Sequence, residues 1–325
     1  MKKLIVVSMT VFLVLSLAGA GFAQTPKPVE LRAIAAHAVN NATTVLFLKW
    51  IDRVNKATQG KLTIKFMGGP EAIPGPQQAQ ALSKGVVHIG SSTCGLVSPL
   101  VKEAAGIYIS AKNSRTLRES GFLAELDKLF AKANLRFVLF HGDGDGYYIF
   151  AGKPIARPQD LKGMMMRSAA TYDAMFRALG CSPVNVPASD AYSAMERHIV
   201  DGYAYPLSPL PETGLIEVTK TFIDHMVLGG GSIMFMNLDA WKKLPPDVQK
   251  IITDINVQME PEILSFWKEH ETKTREQLKA RKVDIVKFSD KDAKWYLDTA
   301  RKASLDDLVK QAPQTAPTLM KLAGY

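Results

Sequence analysis

Arg167 is the residue whose chemistry the sequence indicates most directly. It follows Met164, Met165 and Met166, an apolar run that predicts a buried strand. The planar guanidinium of arginine offers two parallel N–H donors that match the two oxygens of a carboxylate. Such a pair is worth more in a partly dry cleft than on an exposed surface. From these residues alone a structural or surface arginine is the favoured interpretation, and binding of a carboxylate is the alternative.

Compact motifs for catalysis or metal binding are missing from the sequence. The run that begins at Asp143 resembles a calcium loop, but Tyr148 and Pro154 occupy the positions that need a glycine and an acid. The six histidines are scattered, with no pair four residues apart. There is no nucleophile elbow, P-loop or dinucleotide motif. We expect a protein without cofactor or enzymatic activity; no metal site can be identified from the sequence, which leaves open whether a cation assists ligand binding. An exported hydrolase that acts on a small acid, with a triad assembled from distant residues, is the alternative.

The N-terminal segment predicts export. Residues 1–3 are Met-Lys-Lys, residues 4–17 are apolar apart from Ser and Thr, and residues 18–23 are mostly small. This order is typical of a secretory signal peptide, with Ala23 as the last residue removed. The apolar run is shorter than the roughly 20 residues of a membrane-spanning helix. We expect a periplasmic protein that begins at about residue 24.

Charge and cysteine content narrow the possible partners. The net charge is +9, and loss of Lys2 and Lys3 with the signal peptide leaves +7. The basic residues are mixed with acids along the chain, which indicates a solvated surface with a mild preference for anions rather than a nucleic-acid interface. Cys94 and Cys181 could form one disulfide. Two buried free thiols are the favoured interpretation.

Strands and helices alternate along the chain and predict an α/β protein. Between residues 29 and 90 the pattern gives three strands and two helices, which indicates a mainly parallel sheet. The predicted segments are strands 29–34, 62–66 and 86–90 and helices 43–57 and 77–84. A second α/β unit follows between residues 135 and 202. A long helical region, interrupted near Pro261, runs from Pro246 to about Lys282, and a strand at 283–288 and two helices end the chain.

The order of several short motifs resembles the solute-binding proteins of tripartite ATP-independent periplasmic (TRAP) transporters, the DctP-like family. The motifs begin near Trp50 and cover nearly the whole chain after residue 47. They are Gly60-Lys61-Leu62-Thr63-Ile64, Ile89-Gly90-Ser91, Lys153-Pro154-Ile155, Pro158-Gln159-Asp160-Leu161-Lys162-Gly163, Val200-Asp201-Gly202 and Trp241-Lys242-Lys243-Leu244-Pro245-Pro246-Asp247.

The resemblance implies a two-domain periplasmic-binding-protein fold with a hinge and a long domain-spanning helix. It implies a signal peptide at 1–23, domain I at 24–145 plus 233–273, and domain II at 146–232 plus 274–325, with a ligand cleft between them. It also implies delivery of a small organic acid to integral-membrane TRAP permease subunits after the cleft closes. A ligand sensor that docks on a membrane receptor is a further alternative.

The resemblance also gives Arg167 its role, because the family's arginine after the Asp-Leu-Lys-Gly motif pairs with the ligand's carboxylate. The sequence departs from the family pattern elsewhere. Residues 144–150 contain no second arginine, and Tyr205 stands where many members have asparagine. Tyr147, Tyr148 and Tyr205 offer ring area and single hydroxyls, although core tyrosines are common. We predict a monocarboxylate, including an aromatic or 2-oxo acid, rather than a dicarboxylate or a sugar acid.

Four further candidates follow predicted strands or turns of domain I at its cleft edge. They are His37 and Asn41 after the first strand, Glu71 after a turn, and Thr93 after the third strand. Loop capping or surface exposure is the alternative for each. Glu71 would repel a carboxylate unless the ligand also carries an amine or hydroxyl donor, so it is a possible selector of ligands.

Overall fold

The computed structural model describes residues 28–325, which form a mixed α/β fold with two sheets. The predicted signal peptide at 1–23 lies outside the described residues. The strands are β1 (Val29–Ala35), β2 (Leu62–Phe66), β3 (Ile89–Thr93), β4 (Leu135–Phe140), β5 (Gly146–Ala151), β6 (Met165–Ser168), β7 (Ser182–Asn185), β8 (Gly202–Pro206), β9 (Thr221–Gly229), β10 (Ser232–Asn237) and β11 (Asp284–Val286).

Helices cover both sheets. They are α1 (Ala42–Ala57), α2 (Gly75–Ser83), α3 (Cys94–Val97), α4 (Gly106–Ser110), α5 (Ser114–Glu119), α6 (Phe122–Ala131), α7 (Asp173–Ala178), α8 (Ala191–Glu196), α9 (Leu238–Lys242), α10 (Pro246–Ala280), α11 (Asp290–Gln311) and α12 (Ala316–Leu322). Within residues 28–325, none of these helices combines the length and the apolar character needed to cross a membrane.

The first sheet has the order β2-β1-β3-β10-β4, and four of its five strands run in the same direction, so it is mainly parallel as predicted. β1 pairs in parallel with β2 and β3, as predicted, but β10 lies antiparallel between β3 and β4. The reason is the path of the chain, since β10 returns from the second sheet and enters at the edge where β3 and β4 end. The predicted strand at 86–90 was also misplaced, because pairing with β1 and β10 carries β3 through Ser91 and Ser92 to Thr93.

The second sheet has the order β11-β9-β5-β8-β6-β7. β5 is antiparallel to β8 and β9, whereas β6 is parallel to β7 and β8. The carboxyl ends of β6, β7 and β8 therefore lie at the end of the sheet where β5 begins. The chain reaches that end directly from the carboxyl end of β4. Ligands of open α/β sheets bind outside the carboxyl ends of strands, so this junction is where we expect a site.

Two short linkers, 141–145 and 230–231, carry the chain between the sheets and cross each other. The backbone N–H groups of His141 and Gly142 both donate to the Ser232 carbonyl, at 3.0 and 2.8 Å. Gly230 has to be glycine at this crossing, since a Cβ there would lie 1.9 Å from the Gly142 carbonyl oxygen. The domain boundaries at these linkers remain a prediction. The last helix, α12, packs on α4 and α6 beside the first sheet.

The long helix α10 runs without interruption through Pro261, so the predicted break is wrong. Proline lacks the N–H that would bond to the carbonyl of Val257 one turn earlier. Val257 is 41% exposed, which leaves that carbonyl near solvent, while Met259 and Ile263 are buried on the other face. Packing of the apolar face therefore holds both halves of the helix in line despite the missing hydrogen bond.

Glu260, beside that proline, makes an ion pair whose contribution to the free energy of unfolding should depend on burial. Its two oxygens accept from Arg118 Nε and Nη2 at 2.9 and 3.0 Å, and its side chain is 11% exposed. Glu262 pairs with Arg53 in the same two-bond manner, but its side chain is 54% exposed. We expect Glu260→Gln to lower the free energy of unfolding by about 1–2 kcal/mol and Glu262→Gln by less than about 1 kcal/mol. Equal losses in urea denaturation would contradict this.

Both cysteines are buried free thiols, the interpretation favoured from the sequence. Cys94 begins α3 beside the first sheet, and the Cys181 thiol donates to the Leu161 carbonyl at 3.4 Å. Burial raises the pKa of both thiols, that of Cys181 to about 12. Neither thiol is therefore activated as a nucleophile.

Candidate functional site

Arg167 lies in β6 near the junction of the two sheets and is 6% exposed. Its Nε donates to the Val186 carbonyl at 2.8 Å, which fixes the side chain against the loop after β7. Among residues 28–325 no carboxylate lies within ion-pair distance of its guanidinium. A buried guanidinium without an acidic partner is unusual, because arginines this buried are normally paired.

Tyr205 is near Arg167 at the carboxyl end of β8. β6 and β8 are parallel, with Arg167 in register with Tyr203, so Tyr205 is two residues farther toward the carboxyl end. Burial raises the pKa of the Tyr205 hydroxyl to about 12, and the positive charge of Arg167 opposes that rise. The guanidinium of Arg167 is therefore close enough to the Tyr205 hydroxyl for its charge to affect the pKa of that hydroxyl.

Tyr147 and Tyr148 occupy opposite faces of the second sheet, since neighbouring residues of a strand alternate. Tyr147 packs its ring against Tyr108 at 5.2 Å and Tyr172 at 5.4 Å between centroids. Tyr148 instead packs edge to face on Phe222 and lies under the guanidinium of Arg275. The three tyrosines 108, 147 and 172, here called the tyrosine cluster, join the first-sheet helix α4 to the second sheet.

One member of the tyrosine cluster, Tyr172, is close enough to Arg167 for the charge to affect its pKa. Burial raises the pKa of Tyr172, and the charge of Arg167 is among the effects that oppose the rise. Sequence reasoning missed Tyr172 and Tyr108. Tyr172 stands five residues after Arg167, just past the end of a strand, and that position was a usable signal. Tyr108 had none, because it reaches the cluster only through packing of α4.

The four first-sheet candidates are placed differently from one another. Asn41 is the N-cap of α1, and its side-chain oxygen accepts from the Thr43 backbone at 3.0 Å. Glu71 is exposed, and its carboxylate accepts from the Gly69 backbone at 2.6 Å, which lowers its pKa. Thr93 ends β3 half-buried, and its backbone pairs with Ser232 of β10. His37, also half-buried, follows β1, and its carbonyl accepts from the Thr44 hydroxyl at 3.1 Å.

A buried polar pair that the sequence did not indicate lies near His37. His141 Nε2 is 3.0 Å from the Ser91 hydroxyl oxygen, and both residues are almost fully buried. Its other ring nitrogen, Nδ1, is buried without a hydrogen-bond partner among the described residues. Burial lowers the pKa of His141 to about 3 and that of His37 to about 4. Both imidazoles are therefore neutral at physiological pH.

These lowered pKa values predict a loss of stability in acid. An unfolded histidine titrates near 6.5, so below that pH the unfolded chain binds protons that the buried imidazoles do not, and the free energy of unfolding falls. Asp145 contributes with the opposite sign. Burial raises its pKa to about 7, so stability falls as pH rises from about 4 to 7. A comparison between variants is therefore needed to separate the contribution of His141 to the pH dependence from that of Asp145.

We expect the stability advantage of the wild type over His141→Gln to shrink by about 2 kcal/mol between pH 7.5 and pH 5. The readout is urea unfolding at the two pH values. His198→Asn is the control, because His198 is exposed and its φ of 56° suits asparagine. An advantage over His141→Gln that does not change with pH would contradict the prediction.

Metal binding has no support in the part of the chain that the structure describes, where no group of three or more His, Cys, Asp or Glu side chains is placed to hold an ion. What the site offers is one unpaired guanidinium, phenol rings and hydroxyls. That set can bind an anion and cover its body with aromatic surface. Among the described residues, the groups assigned to this site include no activated nucleophile.

Residues 35–308 match the family described as DctP, bacterial extracellular solute-binding protein, family 7. An uncharacterized protein, y4mM, of Sinorhizobium fredii is 26% identical over 191 residues, which are 56% of this chain and 35% of that protein. The chain thus matches about a third of the length of that relative. The monocarboxylate 2-oxoacid-binding periplasmic protein of a Nostoc species is 23% identical over 276 residues, 81% of this chain and 74% of that one.

Solved structures share the fold. A TRAP periplasmic solute-binding protein from Desulfovibrio salexigens with bound orotic acid superimposes with a TM-score of 0.81 at 20% identity, over 91% of this chain and 97% of that one. Another relative, from Rhodobacter capsulatus, is named for C4-dicarboxylate binding.

Proposed function

We propose a ligand class and a binding mode for this chain, which belongs to the DctP family of bacterial extracellular solute-binding proteins, family 7. Proteins of this family bind solutes, so the chain is a binding protein and not an enzyme. Its ligand is a small organic monocarboxylate, either an aromatic acid or a 2-oxo acid. Arg167 binds the carboxylate at the junction of the two sheets, and the cleft closes around the rest of the ligand.

The observation that carries this proposal is the unpaired Arg167. A buried cation without a partner is costly to the folded protein, and a bound carboxylate would supply both the opposite charge and two hydrogen-bond acceptors. Nε is already held by the Val186 carbonyl. The terminal nitrogens are thus the donors that we assign to the ligand.

The tyrosines support the choice of a monocarboxylate. Tyr205 and Tyr172 lie close enough to Arg167 for its charge to affect their pKa values, and each offers a ring and a single hydroxyl rather than a second cation. Aromatic surface favours a flat or apolar ligand body over a second carboxylate. The names of two relatives agree with this choice, since one is named for monocarboxylate 2-oxo acids and the other has bound orotic acid, which carries one carboxylate. His37, Asn41, Glu71, Thr93 and Tyr148 stay proposed contacts of lower rank.

We further propose that the chain is exported, loses residues 1–23, and delivers its ligand in the periplasm to integral-membrane TRAP permease subunits. The basic, apolar and small-residue order of the first 23 residues supports export. The Nostoc relative is named as periplasmic.

A ligand screen tests the proposal. Residues 24–325 are purified, unfolded and refolded to remove any bound solute, and heated with a panel of acids. The panel contains orotate, pyruvate, 2-oxopentanoate, 2-oxoglutarate, succinate and glucuronate. A ligand at about 100 times its dissociation constant adds about 2.7 kcal/mol and raises the melting temperature. We expect orotate, pyruvate or 2-oxopentanoate to give the largest shifts. Stabilisation by succinate or glucuronate alone would overturn the ligand class.

A further inference from the structure

Glu212 makes a contact that spans the junction between the two sheets. Its Oε2 accepts from Asn41 Nδ2 at 3.0 Å and from the Ala42 backbone N–H at 3.3 Å. Asn41 and Ala42 begin α1, which follows β1 of the first sheet. Glu212 lies 170 residues later, in a short 3-10 turn after β8 of the second sheet. Neither the family motifs nor the sequence pattern singled out this residue.

The donors that Glu212 occupies are ones that an anion would otherwise use. α1 has 16 residues, and its first backbone N–H groups point out of the positive end of the helix. The Asn41 amide adds a further N–H beside them. With both donors taken by a carboxylate of the protein itself, that end of α1 presents a negative charge instead of a positive one.

Glu212 and Arg167 act on the same hydroxyl from different elements. Burial raises the pKa of Tyr205, Arg167 opposes the rise, and Glu212 adds to it. Tyr205 is seven residues before Glu212, at the end of β8. Glu212 also lies between the carboxyl end of β8 and the start of α1, which follows β1. A ligand that extends from Arg167 along Tyr205 toward the first sheet therefore meets its carboxylate.

We propose that Glu212 is a specificity residue that excludes ligands with a second carboxylate. This inference rests on the proposed function, because it takes the first carboxylate to be bound by Arg167. A dicarboxylate would meet a like charge and would find the donors of α1 already occupied, whereas the uncharged end of a monocarboxylate meets neither obstacle. Glu71, the selector suggested by the sequence, is less suited because its carboxylate is bonded within its own loop, whereas that of Glu212 reaches across to α1.

The test compares two ligands that differ only at the far end. 2-Oxopentanoate and 2-oxoglutarate have the same five-carbon chain and 2-oxo acid group, and only the second carries another carboxylate. Dissociation constants are measured by calorimetry for the wild type, Glu212→Ala and Glu212→Gln. Glu217→Ala is the matched control, because Glu217 is in the same region, 52% exposed, and 3.5 Å from Arg281.

We expect the wild type to prefer 2-oxopentanoate, and Glu212→Ala to shift the ratio of the two dissociation constants toward 2-oxoglutarate by about tenfold. Glu212→Gln removes the charge at nearly constant shape and should shift the ratio in the same direction. Glu217→Ala should leave it unchanged. If the wild type binds neither acid, a gain of 2-oxoglutarate binding in Glu212→Ala still supports the proposal.

Three outcomes would overturn it: a ratio that stays the same in both Glu212 variants, a wild type that prefers 2-oxoglutarate, or a Glu212→Ala protein that binds neither acid when the wild type binds neither. Arg167→Ala is measured beside them. Binding that survives in Arg167→Ala overturns the proposed function itself, whatever the Glu212 variants do, so the two failures are distinguishable.

Discussion

Arg167→Ala is expected to raise the dissociation constant for a carboxylate ligand by about 100-fold or more. Truncating one partner of a buried, hydrogen-bonded charge pair costs about 2–5 kcal/mol, and each 1.4 kcal/mol is about a factor of ten. The folded apoprotein should lose little, because the variant also removes a buried cation that no acid among residues 28–325 neutralises. Calorimetry with the best ligand of the screen gives the first quantity, and thermal unfolding without ligand gives the second.

Arg167→Lys separates charge from shape. Lysine keeps the positive charge but lacks the planar fork that meets both carboxylate oxygens, so we expect binding weaker than the wild type and stronger than Arg167→Ala. Arg157→Ala is the control, because that side chain is 69% exposed and makes only a 3.4 Å pair with Asp160. Wild-type affinity in Arg167→Ala would mean that the carboxylate binds elsewhere in the cleft.

Trp267→Ala is expected to lower the free energy of unfolding by about 3–5 kcal/mol, the range for truncation of a large buried aromatic side chain. Trp267 is fully buried in the middle of α10. Its indole N–H donates to the His141 carbonyl at 2.6 Å. The side chain therefore connects α10 to the linker 141–145 between the sheets. Urea unfolding monitored by circular dichroism measures the loss.

Two variants make that result specific. Trp295→Ala removes the same side chain from α11, where it is 43% exposed, and should cost much less. Trp267→Phe keeps most of the ring volume but leaves the His141 carbonyl without its donor, so we expect a loss of about 1–3 kcal/mol. Equal losses of stability in Trp295→Ala and Trp267→Ala would show that burial of Trp267 at the linker is not the cause of the effect.

Local patterns predicted much of the secondary structure. The strands β1 and β2 and the helix α1 follow from apolar spacing and stop signals within a few residues of their observed bounds, and the two helices that end the chain were predicted without bounds. Pro261 misled the same reasoning, since proline is a local helix breaker and the continuity of α10 depends on the core beneath it. β8, β9 and β10 were not predicted, because none of them alternates between buried and exposed residues, and β10 is buried throughout.

The burial of Arg167 in a strand was predictable because its apolar neighbours and the motif before it are local features of the sequence; its ligand contact stays a prediction. Tyr147 and Tyr148 show where that reasoning ends. Both were candidates, yet the alternation of β5 sends one to the tyrosine cluster and the other under Arg275. Which face of the sheet meets the junction depends on strand order, and strand order is not a local property.

The sequence by itself determined the family, the α/β class and the identity of the buried arginine, because motif order and residue periodicity are written along the chain. Only the tertiary structure decided what surrounds that arginine. Tyr108 and Tyr172 pack on Tyr147, and Glu212 reaches Asn41 across 171 residues, because the two linkers bring the carboxyl ends of both sheets together. Contacts of that separation depend on topology and packing, and no spacing rule along the sequence encodes them.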